Sequence, residues 1–296
     1  MVDARKYLEL QKALGGNEVI LSAPLGESSR GRDSGRGDLG EIASGPVAPR
    51  NDPIPTAPRN DGGSLRGGEA AEAVSPPGSK KGPKHWTDDA PPIPTAHGIQ
   101  VERKESGLLE APSPWNSLDE VAAAIASCTK CFLCEGRTKT VPGEGNPSAR
   151  LMFVGEGPGQ TEDETGRPFV GRAGELLTQI IESVELRREQ VFIANAVKCR
   201  PPQNRKPLPD EIATCRPYLD RQIDLVAPKV LVALGATAAE TLLKVKRSLA
   251  DLRERVHSFH GIPLVVTYHP AALLRNPNWK KPTWDDIRIA RQLLDR

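Results

Sequence analysis

The chain predicts a single three-layer α/β domain with a central four-stranded parallel sheet, preceded by a long disordered tail. Three observations carry this. Residues 22–114 hold 14 of the 28 prolines and 14 of the 27 glycines, a breaker density typical of low-complexity disorder. The remaining residues, 115–296, suffice for one ordinary domain with a real core. Within them, short runs that are apolar throughout alternate with stretches of helical periodicity, the pattern of a parallel sheet covered on both faces.

Taken in order, residues 1–16 place Tyr7, Leu8, Leu10 and Leu14 at near-helical spacing and predict a short helix. Residues 17–114 read as a solvated Pro/Gly-rich linker. Ala-Pro-Arg-Asn-Asp occurs at 48–52 and 57–61, and Pro-Ile-Pro-Thr-Ala at 53–57 and 92–96, but units so poor in apolar residues cannot stack into a solenoid. Order resumes near Trp115. Ser117 and Glu120 have capping-box spacing and open a helix that delivers Cys128 at its end. Strands are predicted at 151–154, 191–194, 230–234 and 262–267, and helices over 173–184, 209–226, 236–245 and 284–294. Pro209 stands in the tolerated first turn of its helix, with Asp210 and Glu211 facing the positive end of the dipole. In such sheets the working residues sit on loops at the carboxyl ends of strands. That singles out the loops after Val154, Ala194 and Thr267.

Composition excludes several classes. No apolar run approaches the ~18 residues of a membrane span, and the first residues lack a signal peptide's apolar stretch. Five cysteines are too few, and odd in number, for an extracellular disulfide scaffold. The expectation is a soluble, cytoplasmic chain. Net charge is +2, divided as −2 over residues 1–114 and +4 over 115–296. A mildly basic domain is compatible with a phosphate-lined partner without demanding one.

The first loop reads Gly155-Glu-Gly-Pro-Gly159, followed by Glu162, Asp163 and Gly166-Arg-Pro-Phe-Val-Gly171. Closely spaced glycines let backbone amides approach a ligand, although the pattern is neither a P-loop nor a dinucleotide fingerprint. Phe169 looks exposed here and is a candidate for stacking. Asn195 follows an apolar strand, where an amide can donate and accept at once on a nucleobase edge. His269, before Pro270, is placed for acid–base or electrostatic work; His257 and His260 read as solvated turn residues. Leu273 and Leu274 beside Arg275 form an apolar tip with a cation, a combination that can wedge into a base stack. Cys128, Cys131, Cys134, Cys199 and Cys215 recur at element ends. Their spacing favours an iron–sulfur cluster over zinc, with one cysteine spare. Arg200 and Arg205 lie in a stiff basic loop suited to phosphates.

Together, Cys128-Thr-Lys-Cys131, Gly155-Glu-Gly-Pro-Gly159, Gly166-Arg-Pro-Phe169-Val-Gly171, Asn195-Ala-Val-Lys-Cys199-Arg-Pro-Pro-Gln-Asn-Arg205 and His269-Pro-Ala-Ala-Leu-Leu-Arg275 resemble the family 4 uracil-DNA glycosylases, the iron–sulfur branch of their superfamily. The resemblance runs from about residue 127 to 296 and leaves residues 1–114 outside it. It implies a 115–296 catalytic domain with a structural [4Fe-4S] cluster on Cys128, Cys131, Cys199 and Cys215, Cys134 being the spare. It implies a monofunctional enzyme that releases uracil from single- or double-stranded DNA and leaves an abasic site. In that reading Asn195 reads the uracil edge, Phe169 stacks on the base and Glu162 walls out the thymine methyl. His269 and the amides of the loop carrying Gly155 and Gly157 stabilise the departing uracil anion. Glu156 positions water or opposes the sugar's positive charge, and Leu274 and Arg275 fill the vacated space. The implied setting is a monomer, nucleoid-associated and bacterial-type, with no membrane partner. Any repair partner of the tail is unspecified. The alternative is a uracil-DNA binding or covalent-capture protein of the same fold without turnover; a zinc-bearing module without catalysis is a second.

Overall fold

The computed structural model describes residues 85–103 and 114–296. The helix expected over 1–16 and most of the expected linker lie outside the described residues. In chain order the elements are β1 (His97–Val101), α1 (Leu118–Ala126), α2 (Leu133–Gly136), β2 (Glu144–Gly145), β3 (Leu151–Gly155), α3 (Gln160–Thr165), α4 (Arg172–Glu182) and β4 (Phe192–Asn195). There follow α5 (Pro209–Val226), β5 (Val230–Leu234), α6 (Ala236–Leu243), α7 (Leu249–Leu252), β6 (Val256–Phe259), β7 (Ile262–Thr267), α8 (Pro270–Arg275) and α9 (Lys280–Asp295). Among the described residues no helix is long and apolar enough to cross a membrane.

The four predicted strands form the parallel centre of the sheet, in the order β7-β5-β3-β4. Among the described residues the sheet is wider than predicted, with seven strands in the order β1-β6-β7-β5-β3-β4-β2. The additions are two short or edge elements and a hairpin partner: β2 runs antiparallel to β4, β6 antiparallel to β7, and β1 parallel to β6. Edge strands are half exposed, so they lack the continuous apolar run that revealed the centre. Residues alternate between the two faces, as strand geometry requires. Met152 and Val154 pack with Leu219 and Ile223 of α5 and Leu242 of α6, while Leu151 and Phe153 pack with Leu177 and Ile181 of α4 and Ile287 of α9. Three layers result, helix on sheet on helix.

The linker expected over 17–114 ends earlier than its composition indicated. Trp86 is buried at 8% against the α9 face, and the guanidinium of Arg291 lies 5.1 Å from its ring centre. Arg288 donates to the Asp88 carbonyl at 3.0 Å and Gln292 to that of Pro91 at 2.9 Å. β1 then docks through His257, which is no solvated turn residue: it is 1% exposed on β6. Its Nδ1 accepts the Ile99 N–H at 2.9 Å, so Nε2 carries the proton, donated to the Leu252 carbonyl at 2.7 Å. Counting breakers could not reveal contacts supplied by helices some 200 residues away in sequence.

Candidate active site

The three strand ends singled out by sequence open into one cavity of about 380 Å³, a size typical of small-molecule sites. Its lining includes Glu156 and Gly157 from the loop after β3, Glu162 from α3, Asn195 from the end of β4, and His269 and Arg275 from the loop and helix after β7. Phe169, Arg205 and Asn204 complete the polar and aromatic wall. Gly155, Arg200 and Leu274, also expected at the site, are not part of that lining.

Gly155 lies beneath it. A Cβ there would stand 2.4 Å from the Asn195 Oδ1 and 2.5 Å from the Phe169 ring, so only glycine lets the amide and the ring meet. Phe169 is buried at 5%, correcting the impression of exposure, and its backbone sits in the left-handed region at φ 51°. Gly174 makes room for it, since a Cβ there would fall 1.9 Å from the Phe169 carbonyl oxygen. A bulky residue held at positive φ carries strain, a feature that clusters at ligand sites. The Glu162 carboxylate is engaged with its own loop. It accepts the amides of Val170 and Gly171 at 2.9 Å each and that of Gly159 at 3.1 Å. It therefore ties both ends of the segment that presents Phe169.

Asn195 is 1% exposed, and its Oδ1 has no hydrogen-bond partner among the described residues. Leaving a buried carbonyl unsatisfied costs about 1–3 kcal/mol, so this atom is a place where a ligand donor would be rewarded. Its backbone is fixed from below, where the buried Lys198 Nζ donates to the Asn195 carbonyl at 2.8 Å and to Gln222 Oε1 at 2.6 Å. Burial pushes the Lys198 pKa down to about 8, and Cys215 opposes the shift.

His269 caps α8: its Nδ1 accepts the Ala271 N–H at 3.2 Å. The neutral ring therefore carries its proton on Nε2. Burial, aided by Arg275, pushes the His269 pKa down to about 4, against the pull of Glu162. The ring also lies 5.5 Å from that of Phe169. Glu156 is held by a residue that the three-loop reading missed. Thr237, beyond β5 at the start of α6, donates from Oγ1 to Glu156 Oε2 at 2.5 Å. The Gly235-Ala-Thr237 turn after Leu234 is a fourth strand end, and its position alone was the available signal. Arg205, expected on a phosphate, is paired with Glu211 through two bonds of 2.6 and 2.8 Å. Arg200 donates to Asn204 Oδ1 at 2.7 Å. Leu274, beside the cavity-lining Arg275, is 42% exposed, while Leu273, read as part of the same tip, is buried at 1% in the core.

A second hollow, behind the Asn195 strand end, is lined by Cys128, Cys131, Cys134, Cys199 and Cys215, together with Lys130, Arg137 and Lys198. Arg137 donates to Cys199 Sγ at 3.2 Å and to the Cys128 carbonyl at 2.7 Å. Burial pushes the thiols of Cys131, Cys199 and Cys215 up, Cys215 to about 11. Among the described residues no three such side chains are set to grip a single metal ion. Cysteine thiols lining one hollow beside Lys130, Arg137 and Lys198 are the soft donors, next to compensating positive charge, that iron–sulfur clusters use, and ligation would release their protons. Cys134 lines the same hollow as the other four, so lining alone does not mark it as spare.

The family model of the uracil-DNA glycosylase superfamily matches residues 142–288, the stretch that carries most of the cavity lining. The chain is 47% identical over 187 residues to the type-4 uracil-DNA glycosylase of Sulfurisphaera tokodaii, a match covering 60% of this chain and 85% of the relative. It is 44% identical over 183 residues to the type-4 enzyme of Thermotoga maritima, covering 60% of this chain and 95% of the relative. Identity to the type-5 uracil-DNA glycosylase of Thermus thermophilus is 35% over 155 residues, 44% of this chain and 68% of the relative. The chain belongs to the type-4 uracil-DNA glycosylases.

Proposed function

We propose that the chain hydrolyses the N-glycosidic bond of uracil in DNA, releasing the free base and leaving an abasic site. The single observation that carries this reading is the buried, partnerless Oδ1 of Asn195 in the cavity wall. Uracil inside a duplex is unreachable, so the nucleotide must first be extruded, against an unstacking cost of a few kcal/mol. Asn195 Oδ1 then accepts from uracil N3–H and the amide NH₂ donates to O4. Cytosine presents the reverse pattern and would leave buried polar groups unpaired. Phe169 stacks on the base. Thymine is rejected by a wall, assigned to the loop that Glu162 ties together. His269 Nε2–H and the loop amides around Gly157 donate to O2 as negative charge develops there, a kind of stabilisation worth several kcal/mol. Glu156 faces the sugar, where its carboxylate orients water or opposes the oxocarbenium-like charge. Leu274 and Arg275 occupy the space the nucleotide vacates, and Arg200 supports the basic loop along the phosphates. No lysine lines the cavity among the described residues, which supports a monofunctional enzyme without a Schiff base.

Cys128, Cys131, Cys199 and Cys215 would hold a [4Fe-4S] cluster. Hydrolysis needs no redox step, so what the group supplies is a cross-link between α1, the basic loop and α5. Cys215→Ser is expected to abolish the visible absorbance of the purified protein. It should also lower Tm by roughly 10 °C, at about 2–4 °C per kcal/mol for a domain of this size; unchanged absorbance would refute the assignment. Thr237→Val removes the Glu156 hydrogen bond at nearly constant volume. We expect kcat to fall about tenfold with KM unchanged, and Thr237→Ser to recover most of it, as steady-state kinetics would read. For the reaction itself, the test is incubation with uracil-containing oligonucleotide, then denaturing electrophoresis with and without alkali. Free uracil and an alkali-labile site are expected. A protein–DNA band that survives denaturation would replace turnover by covalent capture.

A further inference from the structure

Beyond the cavity rim, the segment joining α8 to α9 presents an aromatic side chain that the proposed reaction does not use. Trp279 is 36% exposed and lies flat on Tyr268, with ring centres 4.8 Å apart and planes 3° apart. Tyr268 is pinned in turn: the Arg253 guanidinium sits 4.5 Å from its ring centre. Arg253 is held by Asp286 through bonds of 2.8 and 3.1 Å, and these two side chains are only 7% and 3% exposed. Asp286 also accepts from Thr267 Oγ1 at 2.7 Å, which roots the column in the end of β7, next to His269. The backbone is fixed as well, since Thr283 Oγ1 donates to the Trp279 carbonyl at 2.8 Å and Asn276 Oδ1 accepts the Asn278 amide at 3.2 Å. A surface tryptophan kept flat and rigid by a buried ion pair offers a ready stacking face.

Its surroundings select the occupant. Residues 275–281 contain Arg275, Lys280 and Lys281 and no acidic residue. Arg275 lines the cavity, four residues before Trp279. Lys281 is paired with Asp285 at 3.1 Å and is 81% exposed. Aromatic faces flanked by cations are how proteins hold single-stranded nucleic acid without reading its sequence. We propose that Trp279 is a stacking platform for an unpaired base of the strand flanking the extruded nucleotide, with Lys280 on an adjoining phosphate. This rests on the functional reading above and extends its DNA contact beyond the flipped base.

The test compares the unaltered chain with Trp279→Ala and Trp279→Phe. Each is titrated with a single-stranded oligonucleotide carrying one 2′-fluorinated deoxyuridine, which resists hydrolysis, and with the same strand carrying thymine. A 2′-fluorinated deoxyuridine 3′,5′-bisphosphate, which has no flanking base, serves as control. A stacked base contributes about 1–3 kcal/mol, so Trp279→Ala should weaken both strands about tenfold and leave the bisphosphate unchanged. Trp279→Phe should stay within about threefold of the parent, with Tm of both variants preserved. Equal strand binding by parent and Trp279→Ala, or an equal loss on the bisphosphate, would overturn the platform. Stacking tolerates any base, so the thymine strand judges the platform even where a missing uracil preference sinks the functional reading.

Discussion

Asn195→Leu is expected to lower kcat/KM for uracil release by about a hundredfold or more. The substitution keeps approximate size and removes both halves of the edge contact. Two buried hydrogen bonds at about 1–3 kcal/mol each, with tenfold in rate per 1.4 kcal/mol, set that scale. Stability should move the other way or not at all. The Asn195 Oδ1 is unpartnered in the folded chain, so an apolar replacement removes a desolvation penalty. Thermal melting and steady-state kinetics on the same preparation check both halves. A variant that loses stability and keeps its rate would place Asn195 in the scaffold and out of recognition.

His269→Ala should lower kcat about 10²–10³-fold, the usual cost of one preorganised donor to a developing anion, with KM little changed. The pH dependence follows from the ring's environment. Its folded pKa lies near 4, below the ordinary value of 6.5, so the unfolded chain binds the proton more readily between those values. The stability contributed by the neutral ring is complete above pH ~6.5 and is lost as pH falls through about 4. Protonation also removes the acceptor for the Ala271 amide at the start of α8. Buried His257, whose pKa is likewise depressed by burial, adds to the same acid-side loss. We therefore expect the melting temperature to begin falling below about pH 6.5, while the rate stays level from pH 8 down to about 5 and falls only as the folded ring itself gains its proton near pH 4. A kcat that rises as the ring gains charge would contradict a neutral donor.

Much of this was legible in the sequence because the parallel centre is apolar on both faces. Its four strands and α5, Pro209–Val226, fall within a residue or so of their expected limits. The convergence of Glu156, Asn195 and His269 followed from the rule that such sheets work at their carboxyl ends. What escaped depends on partners remote in sequence. β1 is a strand only because β6 and His257 accept it, and Trp86 is core only because α9 covers it. The three backbone amides that hold the Glu162 carboxylate and the Glu211 carboxylate that pairs with Arg205 are partners of the same kind, set by the fold rather than by the local motif. Thr237 was invisible because a threonine in a first helical turn has an ordinary local explanation. Its reach to Glu156 spans 81 residues.

The central claim is that one cavity receives an extruded uracil and discriminates by the Asn195 edge. The most direct measurement is alkali-revealed cleavage of matched oligonucleotides bearing U:G, U:A, T:G and C:G pairs, and of single-stranded uracil DNA. Cleavage at uracil in every context, with none at thymine or cytosine, is the predicted outcome. Absence of cleavage at uracil, or cleavage at thymine to the same extent, would contradict it.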